Sequence, residues 1–139
     1  MQSLKVADFM NCHPVVLTHN MTVAEVVERL ITQRNPGAPV VDEQHCLVGF
    51  ISEQDCLKQM LESGYYREQA ARAKDVMRTD VLSVKPYSSV LDVAEQMLLP
   101  KPKVYPVVDD EGRLVGCISR ADVLRAIDLH LRDGYKQAV

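Results

Sequence analysis

The chain has 139 residues, of which 47% are hydrophobic and 25% are charged, and its formal net charge at pH 7 is -3. This length is sufficient for a hydrophobic core without stabilising disulfides or metals. The acidic excess argues against a general nucleic-acid or membrane-surface binder, which requires a basic excess. With no Trp and two Phe, the chain also lacks the aromatic side chains of a base-stacking platform for single strands.

Cysteine usage points to a reducing compartment. The chain has four cysteines and no close CxxC pair: Cys12, Cys46, Cys56 and Cys117. Because neither a secretory signal nor an apolar run of membrane-spanning length is evident, we expect a cytoplasmic protein with free thiols. The pairs Cys12-His13 and His45-Cys46 lack the usual zinc spacings, so we predict no metal site. No catalytic triad order, HExxH motif or Gly-rich phosphate loop is present, and we predict no enzyme activity.

In chain order, the first predicted elements are a helical turn at 3–10 and a short strand at 15–18 that is rich in β-branched residues. A helix begins at Thr22, which forms a capping-box pattern with Glu25. Apolar residues at helical spacing predict one buried stripe: Val23, Val26, Val27, Leu30 and Ile31. The residues Asn35-Pro36-Gly37 end this helix.

Two strands and a second helix complete the first unit. The strands are predicted at 39–41 and 47–51, and Asp42 forms the turn between them. The second strand is apolar on both faces, as expected for a buried strand. Ser52 then opens a helix that carries Cys56, Leu57, Met60 and Leu61 and that Gly64 closes. The order of the unit is therefore β-α-β-β-α.

The same unit returns after 67 residues without a gap. Pro39-Val40-Val41-Asp42 becomes Pro106-Val107-Val108-Asp109, and the segment 47–52 becomes 114–119. The second copy predicts a strand at 81–84, a capped helix from Ser89 and a turn at Asp109. The apolar positions of its two helices are Val90, Val93, Ala94, Met97, Leu98, Val123, Leu124, Ile127 and Leu131. A repeat of this kind fixes the unit of architecture.

Each half alone has too little core to stand by itself. We therefore predict an α/β (α+β) fold in which two β-α-β-β-α repeats pack about a pseudo-twofold axis. The first repeat covers 6–63, a linker or short surface helix covers 64–72, and the second repeat covers 73–131. The apolar stripes on four helices exceed what one thin sheet layer can cover, so we also predict a homodimer.

Two gapless units, each with a Pro-Val-Val-Asp strand and a Gly-x-x-Ser-x-x-Asp junction, resemble a pair of CBS domains (cystathionine β-synthase motifs). The resemblance extends from about Val6 to Ile127. It implies a free-standing regulatory module that binds adenosine-type ligands, such as AMP, ADP, ATP or S-adenosylmethionine, in clefts between the two repeats. The regulated partner protein is not identified by the sequence. The alternative is a protein-interaction or dimerisation module whose clefts are degenerate and empty.

Ser52 with Asp55, and Ser119 with Asp122, are the main candidate ligand-binding residues. A helix N-terminus offers free N–H groups and a positive dipole end, which suit an anion. The Ser hydroxyl can donate to a phosphate, and the carboxylate can accept both hydroxyls of a ribose. The same spacing also describes a helix N-cap with a box-like acid. The two roles are compatible, since one cap can hold the helix end and face a ligand.

Further candidates follow from the resemblance. In the family, the residues at the positions of Ala38-Pro39 and Tyr105-Pro106 line the adenine slot. First-strand residues would complete it: Val15, Val16, Leu82 and Ser83. Plain core packing is the alternative interpretation, and we favour it for Val15 and Leu82.

The two copies differ in charge near these positions. Family members that hold phosphates often carry a basic residue just before that Pro. The second copy has Lys101 and Lys103 there, whereas the first copy has none; the second copy also has Arg120 where the first has Glu53. A guanidinium pairs with a phosphate bidentately, whereas a carboxylate repels it. If only one cleft takes a phosphorylated ligand, we expect the second copy to supply most of its binding. The alternative is that these basic side chains are solvated surface.

Overall fold

The structure, a computed structural model, describes residues 4–63 and 71–138, with side chains through 62 and 134. The first half has a 3₁₀ turn and five elements: Val6–Asp8, β1 (Leu17–Thr18), α1 (Val23–Thr32), β2 (Gly37–Val41), β3 (Leu47–Ser52) and α2 (Glu53–Ser63). The second half has five elements: α3 (Ala73–Val76), α4 (Val90–Met97), β4 (Val104–Val108), β5 (Leu114–Ser119) and α5 (Arg120–Ala138). The mixed α+β fold and the repeated helix–strand–strand–helix order are confirmed.

The sheets are smaller than the sequence predicts. β1 pairs in parallel with β2, while β2–β3 and β4–β5 are antiparallel hairpins. The strand predicted at 15–18 is reduced to Leu17–Thr18. The strand predicted at 81–84 is wrong, since within the described residues only a single parallel bridge forms there, from Val84 to Val107. In that stretch Val84 is buried whereas Leu82 is 40% exposed, so β-propensity has no packing to support a full strand.

The chain folds into two compact units that cross the repeat boundaries. The first unit comprises Pro14–Val81, and the second joins Met1–His13 to Leu82–Val139. The first unit has its own core of buried side chains, among them Leu17, Leu30, Val40, Ile51 and Cys56. The second unit has another, among them Val6, Val93, Tyr105, Ile118 and Val123. The repeat boundaries predicted from the sequence stay a prediction.

In each unit, a segment of one repeat packs on the hairpin of the other repeat. Arg78 exchanges two backbone hydrogen bonds of 2.9 Å with Phe50 in β3, and Asn11 exchanges bonds of 2.8 and 3.0 Å with Cys117 in β5. A glycine precedes each partner. A Cβ on Gly49 would lie 2.8 Å from the Arg78 carbonyl oxygen, and one on Gly116 would lie 2.7 Å from that of Asn11. Glycine is needed at both places because the two backbones approach so closely.

The helix caps agree with the sequence, but the apolar stripes are wider than the buried faces. Thr22 and Glu25 form the predicted capping box at α1. Along α1, Val26 and Leu30 are buried whereas Ile31 is 69% exposed. The predicted burial is therefore wrong at the margin of the stripe. Other members of the predicted stripes are exposed as well: Leu57, Met60, Leu61, Leu98, Leu124 and Leu131. The predicted helix end at Gly64 and most of the linker lie outside the described residues.

Turns and cysteines behave as expected. The Asp42 carboxylate accepts hydrogen bonds from the backbone N–H groups of Gln44 and Cys46, and Asp109 accepts from Glu111 and Arg113. Both aspartates are thus turn formers. Of the four cysteines, Cys12 is exposed, Cys46 is partly buried, and Cys56 and Cys117 are buried.

Two features are missing from residues 4–63 and 71–138. These ranges bring no three His, Cys, Asp or Glu side chains close enough together to hold a metal ion. They also contain no helix with the length and apolar character that crossing a bilayer requires.

Candidate ligand-binding site

Each Ser-x-x-Asp motif forms the same reciprocal cap where a strand passes directly into a helix. At the end of β3, the Ser52 N–H donates to Oδ2 of Asp55 at 2.9 Å, and the Asp55 N–H donates to Oγ of Ser52 at 3.1 Å. At the end of β5, Ser119 and Asp122 repeat this arrangement at 2.9 and 3.1 Å. The capping interpretation is confirmed in both copies. In both, the cap uses Oδ2 and leaves Oδ1 for another partner.

In the first unit, Oδ1 of Asp55 is held by Arg78. The guanidinium contacts it through Nε at 3.2 Å and through a terminal nitrogen at 3.1 Å. The Asp55 side chain is only 13% exposed. Its burial would raise the pKa, but the hydrogen bonds from Ser52 and the contact with Arg78 outweigh burial, so the pKa lies below the ordinary aspartate value. Both oxygens of this carboxylate therefore have a partner, and the group is held in its charged form.

In the second unit, Oδ1 of Asp122 is held more weakly. The nearest described cation is Arg125, one turn along α5, with a terminal nitrogen 3.4 Å away. This distance exceeds the 2.7–3.2 Å usual for such hydrogen bonds. The other terminal nitrogen of Arg125 donates to the carbonyl oxygen of Phe9 at 3.2 Å. The guanidinium is thus divided between two acceptors, and Oδ1 of Asp122 has no hydrogen bond of normal length from it.

Sequence reasoning missed both arginines. Each lies at a position where the two copies differ, since Arg78 corresponds to Asn11 and Arg125 corresponds to Lys58 after the displacement of 67 residues. The spacing of Arg125 from Asp122 is a usual helical contact and was available as a signal. Arg78 had no local signal, because it reaches Asp55 through the bridge between its backbone and β3.

The residues assigned to the adenine slot are core residues in the structure. Ala38 is 1% exposed and Tyr105 is fully buried, and both lie within strands, since β2 begins at Gly37. Pro39 and Pro106 are also buried. The Ala38 and Tyr105 side chains belong to the cores of their own units, whereas strand alternation directs Pro39 and Pro106 to the opposite face of each hairpin. Of the first-strand candidates, Val16 is half-buried and its carbonyl oxygen accepts from Arg29, whereas Ser83 is exposed.

Tyr105 is the one large difference between the two slots. It fills, with an aromatic ring, the position that Ala38 holds in the first copy. Its hydroxyl is buried and lacks a hydrogen-bond partner among residues 4–63 and 71–138. Burial raises the pKa of this hydroxyl, and the nearby charge of Arg120 opposes the rise. A buried hydroxyl without a partner costs free energy, so a ligand or water that reached it would stabilise this unit.

The basic residues of the second copy adjoin its junction. The Arg120 N–H donates to the Lys103 carbonyl oxygen at 2.8 Å, so the backbones of these two residues are joined next to Ser119. In the first copy the same bond joins Glu53 to Pro36. The Arg120 and Lys103 side chains are exposed. Arg120 also borders an apolar groove of about 690 Å³ between α4 and α5, lined by Leu98, Leu99, Pro100, Val123, Leu124 and Ile127 among others.

A duplicated helix–strand–strand–helix unit with an identical capped junction in each copy defines a tandem-repeat module. The family model of the CBS domain matches this chain twice, over residues 6–62 and 73–129. The chain therefore belongs to the CBS domain family and carries two copies of the domain.

Solved structures and a curated relative support this assignment. The chain is similar to Arabidopsis thaliana CBSX2 in complex with AMP, with 29% identity, a TM-score of 0.80 and coverage of 94% of this chain and 99% of that one. It is similar to the CBS domain pair of MJ0100 in complex with 5′-methylthioadenosine and S-adenosyl-L-methionine, with 28% identity, a TM-score of 0.73 and coverage of 88% and 98%.

Among curated proteins, the chain is 30% identical to the chloroplastic CBS domain-containing protein CBSX1 of Arabidopsis thaliana, over 88% of this chain and 63% of CBSX1. The share of the relative that the chain spans varies widely, from 14% to 86%. The fold of a CBS pair thus recurs in proteins of very different length.

Proposed function

We propose that the chain is a regulatory module that binds an adenosine-type ligand, such as AMP, ADP, ATP or S-adenosylmethionine. The observation that carries this proposal is the capped Ser119-x-x-Asp122 junction, in which Oδ1 of Asp122 keeps capacity for a further hydrogen bond. Two similar solved CBS pairs hold AMP, 5′-methylthioadenosine or S-adenosylmethionine. The ligand acts as a regulatory signal rather than as a cofactor.

Each part of the ligand has proposed partners at the junction. The Ser119 hydroxyl accepts a bond from Asp122 but keeps its own hydrogen to donate to a phosphate. Arg120 and Lys103 add positive charge beside it, and the Asp122 carboxylate accepts the ribose hydroxyls. The sequence also predicts Val16, Ala38, Pro39, Ser83, Tyr105 and Pro106 as site residues. At the first junction it predicts Ser52 and Asp55, but there Asp55 is already engaged by Arg78.

We further propose that the module acts in the cytoplasm on a protein partner and catalyses no reaction itself. In both junctions the Ser and Asp side chains serve as helix caps, which is a structural role. Turnover of a nucleotide by the purified chain would contradict this part of the proposal.

A thermal-shift screen tests ligand binding directly. The purified chain is melted alone and with AMP, ADP, ATP, S-adenosylmethionine or adenosine, with guanosine as the control. A ligand at about a hundred times its Kd stabilises a protein by roughly 2.7 kcal/mol, which for a domain of this size raises Tm by about 10 °C. If no adenosine-type ligand shifts Tm, the module is instead an interaction domain with empty sites.

We propose that the chain forms a homodimer through exposed apolar helix faces. Leu98 is 87% exposed and Leu124 is 70% exposed beside the α4–α5 groove. The same helix positions in the first copy, Ile31 and Leu57, are 69% and 60% exposed. Exposed large apolar side chains that recur at equivalent positions are typical of a surface that a partner chain covers.

Light scattering at tens of micromolar tests the dimer. We expect the mass of two chains, and a monomer mass for Leu98→Glu combined with Leu124→Glu, because these changes place charges in the apolar contact. A matched control, Arg132→Glu on the exposed face of α5, should leave the mass of two chains unchanged. A monomer mass for the unaltered chain would contradict the proposal.

A further inference from the structure

We infer that Arg78 occupies the ribose-hydroxyl acceptor of the first repeat and leaves the second repeat as the one adenosine-binding junction of the chain. This inference rests on the proposed function, because it decides which of two capped junctions takes the ligand. The two motifs have the same sequence pattern and the same cap distances. The difference between them therefore comes from the side chains that reach the carboxylates.

The first step is the occupation of Asp55. Oδ2 accepts from the Ser52 N–H, and Oδ1 accepts from two nitrogens of Arg78 at 3.1 and 3.2 Å. A ribose needs the outward-facing oxygen of this carboxylate to accept its hydroxyls. Its hydroxyls are uncharged donors, and a guanidinium donor binds a carboxylate more strongly than a neutral donor does. A ribose would therefore have to displace a stronger donor.

The second step is the placement of Arg78. Its backbone is fixed to Phe50 by hydrogen bonds in both directions, and Gly49 allows this close approach. The side chain therefore begins beside the junction, within reach of Asp55. The Arg78 side chain is 61% exposed, so we expect its replacement to leave the packing of the core intact.

The third step is the contrast at the second junction. The position of Arg78 is held there by Asn11, whose side chain accepts from the backbone N–H of His13 at 2.9 Å and is too short to reproduce the Arg78 contact. Arg125 approaches Asp122 at 3.4 Å and is also bound to the Phe9 carbonyl. The second carboxylate thus keeps an acceptor oxygen, and it adjoins Arg120, whereas the first junction has Glu53 in that place.

The experiment counts ligands per chain by calorimetric titration with adenosine and with AMP. We expect one ligand per chain for the unaltered protein. Asp122→Ala should weaken this binding by about tenfold or more, since a hydrogen bond to a charged group is lost. Asp55→Ala should leave the Kd within about twofold, because hydrogen bonds already made by Asp55 keep it out of ligand binding.

The decisive variant is Arg78→Asn, which gives the first copy the residue that the second copy has. We expect a second adenosine to bind per chain, and we expect Arg78→Asn with Asp55→Ala to return to one. Because Arg78 is exposed, the variant should fold, and Arg78→Gln provides a second uncharged replacement. A single site in both variants would overturn the inference.

The other outcomes separate the inference from the proposed function. Two ligands on the unaltered chain would overturn the role of Arg78 while the adenosine-binding function stands. The same holds if Asp55→Ala loses the ligand and Asp122→Ala still binds it. No binding of adenosine or AMP to any of these proteins would overturn the inference, and the thermal-shift screen with the other adenosine-type ligands would then decide the proposed function.

Discussion

The two strand-to-helix junctions of this chain are alike in sequence and in cap geometry, yet their carboxylates have different partners. Beyond the caps, Asp55 contacts Arg78 at hydrogen-bonding distance, whereas the contact of Asp122 with Arg125 is longer. Arg78 reaches its carboxylate from a separate segment, whereas Arg125 lies on the same helix as Asp122. A motif that is identical in two places can therefore present a closed acceptor in one and an available acceptor in the other.

The comparison teaches that duplication conserves the scaffold more strictly than the site. Capping and close packing are backbone requirements, so Ser, Asp and Gly recur at equivalent positions in both copies. The side chains that fill the surface next to each cap carry no such requirement. Asn11 and Arg78 share the same backbone pairing but differ in length and charge, and this difference separates the two sites.

The largest expected effect is the loss of ligand-induced stabilisation. In Asp122→Ala, the Tm shift caused by AMP should fall to about half or less, because the ribose loses its acceptor. In Asp55→Ala, the shift of about 10 °C should survive. Thermal melts with and without AMP measure both. Equal losses in the two variants would remove the asymmetry, and undiminished shifts in both would leave the aspartates as caps alone.

An arginine placed at the equivalent position of the second junction should occupy the Asp122 carboxylate as Arg78 occupies Asp55. In Asn11→Arg, the new side chain starts from the backbone position that Arg78 holds in the first copy and should contact Asp122. We expect adenosine to bind more weakly, because the ribose would have to compete with the guanidinium for Asp122. Asn11→Gln is the uncharged control and should bind normally. If the arginine variant binds adenosine as tightly as the unaltered chain does, an arginine at this position does not block the ligand, and the role assigned to Arg78 is wrong.

Removing either cap should lower stability by about 1 kcal/mol. Asp55→Ala should cost slightly more than Asp122→Ala, by no more than about 0.5 kcal/mol, because solvent screens the exposed Arg78. Urea unfolding of the two variants at neutral pH measures the difference. A larger loss for Asp122→Ala would reverse the expected order.

The pH dependence of the Asp55 contribution has a defined sign. Its pKa is lowered in the folded chain, so the stability it supplies is present above the unfolded aspartate value, about 3.9, and is lost as the pH falls through the lower folded value. The stability gap between the unaltered chain and Asp55→Asn, which keeps a side-chain acceptor, should therefore narrow on acidification. Urea unfolding between about pH 5 and about pH 3 follows this gap. A gap that widened would contradict the assigned shift.

The smallest effect concerns thiol reactivity beside the second junction. Burial, with a contribution from Asp122, raises the pKa of Cys117 to about 12, whereas Cys12 is exposed. Iodoacetamide at about pH 8 should label Cys12 and spare Cys117, because the thiolate is the reactive form. Peptide mass spectrometry measures both sites. Rapid labelling of Cys117 would indicate that the segment around Asn11 leaves β5.

Much of the fold followed from the sequence because it depends on local chemistry and on the repeat. The caps at Thr22, Ser52 and Ser119 and the turns at Asp42 and Asp109 use side chains that bond to their own backbone neighbourhood. The predicted strand at 81–84 failed because strand formation depends on a neighbour along its whole length. The predicted burial of Ile31 and Leu98 was wrong because an apolar stripe along a helix does not tell which of its two edges faces solvent.

The candidate site was predicted less completely, for a physical reason. Ser52, Asp55, Ser119 and Asp122 were found because their spacing is local. Arg78 was missed because it lies 23 residues from Asp55 and reaches it through the backbone pairing of its own segment with β3. Tyr105 was assigned to the adenine slot. The alternation of side chains along a strand does not tell which face is the core, so it did not show that the Tyr105 ring lies there. Long-range placement is what the sequence did not supply.

Native mass spectrometry of the purified chain, mixed with excess AMP, adenosine, S-adenosylmethionine or 5′-methylthioadenosine, tests the central claim most directly. It detects each bound ligand by its mass and counts the copies per chain. The account predicts that at least one of these compounds is retained, at one copy per chain, and that Asp122→Ala releases it. A chain that retains none of the four compounds would contradict the account.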